Sequence, residues 1–300
     1  MTEERKQEIL EIIRNTNRRP AQTGKPLYPE EIMAYPNLCE EIESISRTVD
    51  GFSYRMDILR AKNRGENCPL FINIHGGGFI GPHRENDTYF SAYMANQIHG
   101  ITVDLDYTLS DAAPYPVALH QCMDALDYVA EHANTWSASA KDISVGGYSA
   151  GGALTAAMGI CCAERGGFVP KLQILCYPPL EYRIPDQYKI DAYDRQIGME
   201  RCKAFADLYF DDKKENFEDI HNSPLYAPRE ILAKQPKTLI LSAGLCNFRY
   251  EDEDYAICLA DAGAEVILKR FPEASHGFIP HFMDGWKEAA DLMVREILEK

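Results

Sequence analysis

Ile143-Ser144-Val145-Gly146-Gly147-Tyr148-Ser149-Ala150-Gly151-Gly152 is the stretch on which the fold turns. A β-rich run enters Gly147-Tyr148-Ser149-Ala150-Gly151, and an apolar, Ala-rich segment continues to Cys162. Strand, Gly-x-Ser-x-Gly and helix in immediate succession form the context of a nucleophile elbow. Ser149 would occupy the tip of a strained turn. Gly147 and Gly151 would omit side chains that collide where strand and helix come close. The N-terminus of the helix would aim main-chain N–H groups at negative charge forming beside the serine hydroxyl. Alone, the pentapeptide is a weak pattern that also reads as an ordinary glycine-rich turn, so the rest of the chain has to decide.

Upstream, Ile72-Asn73-Ile74-His75-Gly76-Gly77-Gly78-Phe79 reads as a strand ending in His-Gly-Gly-Gly. Acyl transfer needs donors aimed at the oxyanion of a tetrahedral intermediate, and consecutive glycines let main-chain N–H groups turn toward a substrate. Downstream, Ser275-His276-Gly277-Phe278 falls between the last expected strand and the last helix, where the chain order serine, acid, histidine puts a general base. Only His221, His276 and His281 follow the elbow and its helix. His221 lies in an inserted segment and His281 beside the last helix, so His276 is the candidate base. His75 lies upstream of the elbow, whereas the triad histidine should follow the triad acid, so His75 is read as structural.

The intervening sequence alternates. Residues 3 to 14 carry Ile9, Leu10, Ile12 and Ile13 among charges and suit an amphipathic helix. Ser44 to Val49, Asp50-Gly51 and Phe52 to Leu59 read as a β-hairpin. Strands are expected at 70–74, 100–105, 142–146, 172–177, 238–242 and 265–271, with helices at 116–133 and 286–299. Near-continuous apolar strands separated by helices imply an α/β fold with a mostly parallel sheet covered on both faces. The rhythm breaks after Glu181, in a Tyr-rich and charged segment with helical character at 200–210. It is too long for a plain connection. Residues 1–40 and 181–235 are therefore expected to form a cap over a single domain spanning 1–300.

Composition narrows the function. Lys plus Arg number 31 against 46 Asp plus Glu, a formal net charge of −15, which repels nucleic acid and anionic membranes. The charged N-terminus lacks the apolar core of a signal peptide. No run approaches the ~18 apolar residues of a membrane span. Nine cysteines without a Cys-x-x-Cys pair read as reduced side chains of a cytoplasmic protein. No His/Cys spacing suggests a metal site, so neither metal nor organic cofactor is expected. The oligomeric state is not fixed by the sequence, and a homodimer is the assembly considered.

The order His75-Gly-Gly-Gly, Asp106-Tyr107 ahead of Tyr115-Pro116, Gly147-Tyr148-Ser149-Ala150-Gly151, Tyr177-Pro178, Ser223-Pro224-Leu225 and His276-Gly277-Phe278 resembles the hormone-sensitive-lipase-like family of α/β-hydrolases. The match runs from about Leu70 to the C-terminus. The resemblance implies a cofactor-free esterase of short acyl chains, acting on a small-molecule ester. Ser149 would be the nucleophile, His276 the base, and Gly77, Gly78 and Ala150 the oxyanion hole. One position departs from the family, whose acid stands in Asp-Pro-Leu-Arg-Asp-Glu after the strand here at 238–242. The aligned stretch is Cys246-Asn247-Phe248-Arg249-Tyr250-Glu251, with Cys246 where Asp is expected. Glu251 is the leading replacement, followed by Asp252, Glu253, Asp254 and Glu181, with a weakened dyad as the remaining reading. Two rival functions accompany the esterase: an amidase or peptidase on the same scaffold, and a small-molecule-binding protein with a decayed triad.

Overall fold

The computed structural model describes residues 1–16, 28–184 and 197–299. Helix α1 (Glu3–Asn15) opens the chain, and the Thr2 hydroxyl caps it by accepting the Arg5 N–H. Strands β1 (Glu43–Val49) and β2 (Phe52–Arg60) pair antiparallel. Asp50 (φ 52°) and Gly51 (φ 84°) join them, both in the left-handed region. That geometry is the one whose twist matches the flanking strands.

Strands and helices then alternate: β3 (Cys68–Ile74), α2 (Glu85–Gln97), β4 (Ile101–Asp106), α3 (Val117–His132), β5 (Ala138–Tyr148), α4 (Ala150–Arg165) and β6 (Leu172–Cys176). After the insertion, which carries α5 (Met199–Tyr209), come β7 (Lys237–Ala243), α6 (Arg249–Ala262), β8 (Val266–Phe271) and α7 (Trp286–Leu298). The eight strands form one sheet in the order β1-β2-β4-β3-β5-β6-β7-β8, parallel from β4 onward.

The apolar runs follow from this arrangement. β3, β4, β6 and β7 are almost wholly buried because helices cover both faces. Ile72, Val103 and Val145 pack with Leu126 of α3 and Leu154 of α4 on one face. Phe71, Ile174 and Leu239 pack with Phe90 of α2 and Met293 of α7 on the other. No disulfide joins any of the nine cysteines. Among the described residues, no helix is long and apolar enough to cross a membrane.

Register brings the motifs together. β3 and β5 are neighbours with Ile74 opposite Gly147, so the His-Gly-Gly-Gly loop and the serine turn leave the sheet side by side. The loops after β7 and β8 leave the same edge, the carboxyl ends of the parallel strands, where open α/β sheets bind ligands. Above that edge α1 lies on α5, with Ile9 and Ile13 against Ala204 and Leu208. Parts of the expected cap, 17–27 and 185–196, lie outside the described residues.

Candidate active site

Ser149 sits between β5 and α4 with φ 54° and ψ −119°, a backbone conformation that costs a non-glycine residue about 1–3 kcal/mol. Hydrogen bonds on both sides hold it. Its N–H donates to Cys176 O (2.9 Å), and its carbonyl accepts the Ala153 N–H (3.0 Å). The flanking glycines are sterically required. A Cβ at Gly147 would stand 2.4 Å from the Gly151 carbonyl, and one at Gly151 would stand 2.1 Å from Ile74 O.

The glycine loop after β3 folds against this turn. A Cβ at Gly76 would meet Tyr148 O at 2.7 Å. Gly77 (φ 124°) packs on Gly81, whose N–H donates back to Gly77 O at 2.8 Å. Gly78 has φ 63°. Ala150 is the first residue of α4, so its N–H belongs to the turn that has no intrahelical acceptor.

His276, in the loop after β8, places Nε2 2.9 Å from Ser149 Oγ. The rings of Tyr177 and Phe248 meet it edge-on at 5.0 and 5.6 Å. Burial, reinforced by His281, pulls its pKa down to about 3, so the imidazole is neutral at neutral pH. At Nδ1, 3.1 Å away, stands Cys246 Sγ. The same sulfur accepts the Phe248 N–H at 3.3 Å. Burial, with Asp252 adding, holds the thiol pKa well above its ordinary value.

Three of the carboxylates expected beside His276 are engaged by other groups. Glu251 Oε2 accepts the main-chain N–H groups of Leu180 (2.8 Å) and Glu181 (3.0 Å). Glu181 Oε1 accepts the Ile184 N–H, Glu253 pairs with Arg270, and Asp254 is exposed. Asp252 is fully buried. The cause is local: helix α6 already begins at Arg249, which takes Glu251 and Asp252 into its first turn and out of the loop. The thiol at the family's Asp position therefore meets Nδ1, where sequence reasoning favoured Glu251.

Three other histidines have structural partners. His75 is buried, donates from Nδ1 to Gly76 O (2.8 Å), stacks on Tyr107 at 4.4 Å and is driven down to about 4 by burial. Beneath the loop, His83 Nε2 pairs with Asp104 at 2.7 Å. Burial opposes the His83 charge, but Asp104 prevails and lifts the pKa to about 9. His221 is held between Asp219 and Glu164.

Ser149 and His276 open into a cavity of about 620 Å³, walled by Ile13 of α1, Gly78, Phe205 of α5 and Ile197. Its size suits a small molecule. Among the described residues, no group of three or more His, Cys, Asp or Glu side chains is arranged to hold a metal ion.

Residues 71–280 match a family model described as the alpha/beta hydrolase fold. The chain is 24% identical over 267 residues to a putative alpha/beta hydrolase of Acanthamoeba polyphaga mimivirus, covering 85% of this chain and 77% of that one. It is 27% identical over 255 residues to carboxylesterase NlhH of Mycobacterium tuberculosis, covering 81% and 78% respectively. Among solved structures, carboxyl esterase 2 of the fungus Tuber melanosporum superposes with a TM-score of 0.80 over 97% of both chains at 21% identity. That likeness is one of fold. The chain belongs to the α/β-hydrolase fold family and, by its His-Gly-Gly-Gly and Gly-x-Ser-x-Gly motifs, to the hormone-sensitive-lipase-like members of it.

Proposed function

We propose that this chain is a serine carboxylesterase that hydrolyses small esters of short acyl chains, with Ser149 as nucleophile and His276 as general base. The observation that carries this reading is the 2.9 Å contact between His276 Nε2 and Ser149 Oγ at a strained elbow. A neutral imidazole removes the hydroxyl proton as Oγ attacks the ester carbonyl. The N–H groups of Gly77, Gly78 and Ala150 receive the oxyanion, a contribution worth about 10²–10³ in rate per donor. The imidazolium then gives its proton to the departing alcohol. Water repeats the sequence on the acyl-enzyme, and no step calls for a metal or organic cofactor.

The likeness to carboxylesterase NlhH supports the substrate class. Segments 1–40 and 181–235 act as a cap, since α1 and α5 wall the cavity and Phe205 narrows it beside Gly78. Nine cysteines without a disulfide suit a reducing cytoplasm. A series of p-nitrophenyl esters of increasing acyl length tests the reading. The expected result is a kcat/KM that is highest for the shortest chains and falls with length. A maximum at long chains, or no turnover of any ester, would overturn it.

A further inference from the structure

The geometry points to Cys246 as the positioning residue of the site, its sulfur accepting the Nδ1–H of His276 and fixing the tautomer whose Nε2 faces Ser149. The inference rests on the reading of Ser149 and His276 as nucleophile and base.

Three observations build it. First, Sγ stands 3.1 Å from Nδ1 while Nε2 of the same ring stands 2.9 Å from Ser149 Oγ, so one imidazole bridges thiol and hydroxyl. Second, the sulfur already accepts the Phe248 N–H, which places its lone pairs toward donors. Third, a tight turn fixes Cys246. Its N–H donates to Ala243 O (3.0 Å), and its carbonyl accepts the Arg249 N–H (3.4 Å) where β7 passes into α6.

The tautomer matters because the bond at Nδ1 has two directions. If the thiol donated to Nδ1, Nε2 would carry the ring hydrogen and could not take the serine proton. With Nδ1–H donating to sulfur, the Nε2 lone pair faces Oγ. Only that direction is productive.

The surroundings explain why a neutral group serves here. Among the described residues, the titratable groups facing Cys246 include Asp252, Glu251, Cys202 and Tyr177 besides His276, and those facing His276 include His281 and Tyr177 besides Cys246. Asp252 is fully buried, its carboxyl oxygens have no hydrogen-bond partner among the described residues, and burial, with Glu251 and Glu253 adding, holds its pKa well above the ordinary carboxylate range. A carboxylate at position 246 would share this low-dielectric space with two other acids, which raises the cost of ionising it. A thiol brings no charge, so it orients the ring without stabilising the imidazolium.

The test compares Cys246→Ala, Cys246→Ser and Ser149→Ala with the wild-type protein, by kinetics and by ¹⁵N NMR of the His276 ring. Cys246→Ala should lower kcat by roughly 10²-fold, the low end of what general-base catalysis contributes, with KM unchanged. Its ring should populate both tautomers, whereas the wild type should show Nδ1–H alone. Cys246→Ser should keep the Nδ1–H form and recover part of kcat. If Cys246→Ala does not fold, Cys246→Ser decides: both tautomers at wild-type rate would overturn the inference. A folded Cys246→Ala with full kcat and an unchanged ring spectrum would overturn it too, leaving the esterase reading intact provided Ser149→Ala is inactive. Turnover by Ser149→Ala would instead defeat the esterase reading, and the ring spectra would still decide the role of Cys246.

Discussion

Phe205 lies against Gly78 so closely that a Cβ on the glycine would stand 2.5 Å from its ring. An element of the insertion thus touches the loop that supplies the proposed oxyanion donors, and Gly78 has φ 63° besides. Gly78→Ala should therefore lower kcat by about 10²-fold or more through a displaced donor. Phe205→Ala should leave the hydrolysis of the shortest esters nearly unchanged while raising kcat/KM for longer ones. Steady-state kinetics across the acyl series checks both, and an unimpaired Gly78→Ala variant would contradict the placement of the loop.

Helix α1 is held on α5 by fully buried Ile9, with Ile13 beside it, and by Arg5 to Asp207. A carboxylate in place of Ile9 would be buried without a partner, which costs more than detaching the helix. Ile9→Asp should make residues 1–16 sensitive to protease and broaden the substrate profile, with little change in the melting of the sheet domain. Limited proteolysis and the ester panel read these effects. An unchanged profile in a variant whose α1 is cleaved would show that the helix does not wall the pocket.

The pH dependence has a definite sign at two histidines. His276 has its pKa pulled down to about 3 by burial, so its neutral, basic form persists far below the range where histidines usually charge. The acid limb of kcat/KM should lie correspondingly low. Cys246→Asp should move that limb upward, because a carboxylate at Nδ1 favours the imidazolium. A wild-type limb near 6.5, the unperturbed value for histidine, would contradict the site's electrostatics.

His83 behaves oppositely. Its folded pKa is raised to about 9 by Asp104 against the cost of burial. The stabilisation is fully present below the unfolded value of about 6.5 and is lost as pH rises through about 9. The gap in Tm between wild type and His83→Gln should be widest at acid to neutral pH and close toward pH 9. A gap that widens with pH would contradict the pairing.

What the sequence disclosed and what it hid divide along physical lines. The Asp50-Gly51 hairpin, the apolar parallel strands and both glycine motifs are local signals, and each marks its element without knowledge of the rest. Helix α2 carries no such signal because it buries Asn86, Asp87, Ser91 and Asn96, which blurs its apolar stripe. Helix α6 hides its start behind the acidic run Glu251 to Asp254, two of whose members turn inward. The same run is where the sequence places the expected partner of His276. Glu251 has the right chemistry but serves the main chain of Leu180 and Glu181, an arrangement no spacing rule discloses. Cys246 has unpromising solution chemistry, yet the β7–α6 turn delivers it to Nδ1.

The central claim is that Ser149 is the nucleophile of an ester hydrolase, and its most direct test is titration with an organophosphonate ester followed by intact-mass and peptide mapping. The expected result is one adduct per chain, on Ser149, with esterase activity lost in proportion to labelling, and neither adduct nor activity in Ser149→Ala. An adduct on another residue that tracks the loss of activity, or ester turnover retained by Ser149→Ala, would contradict the claim.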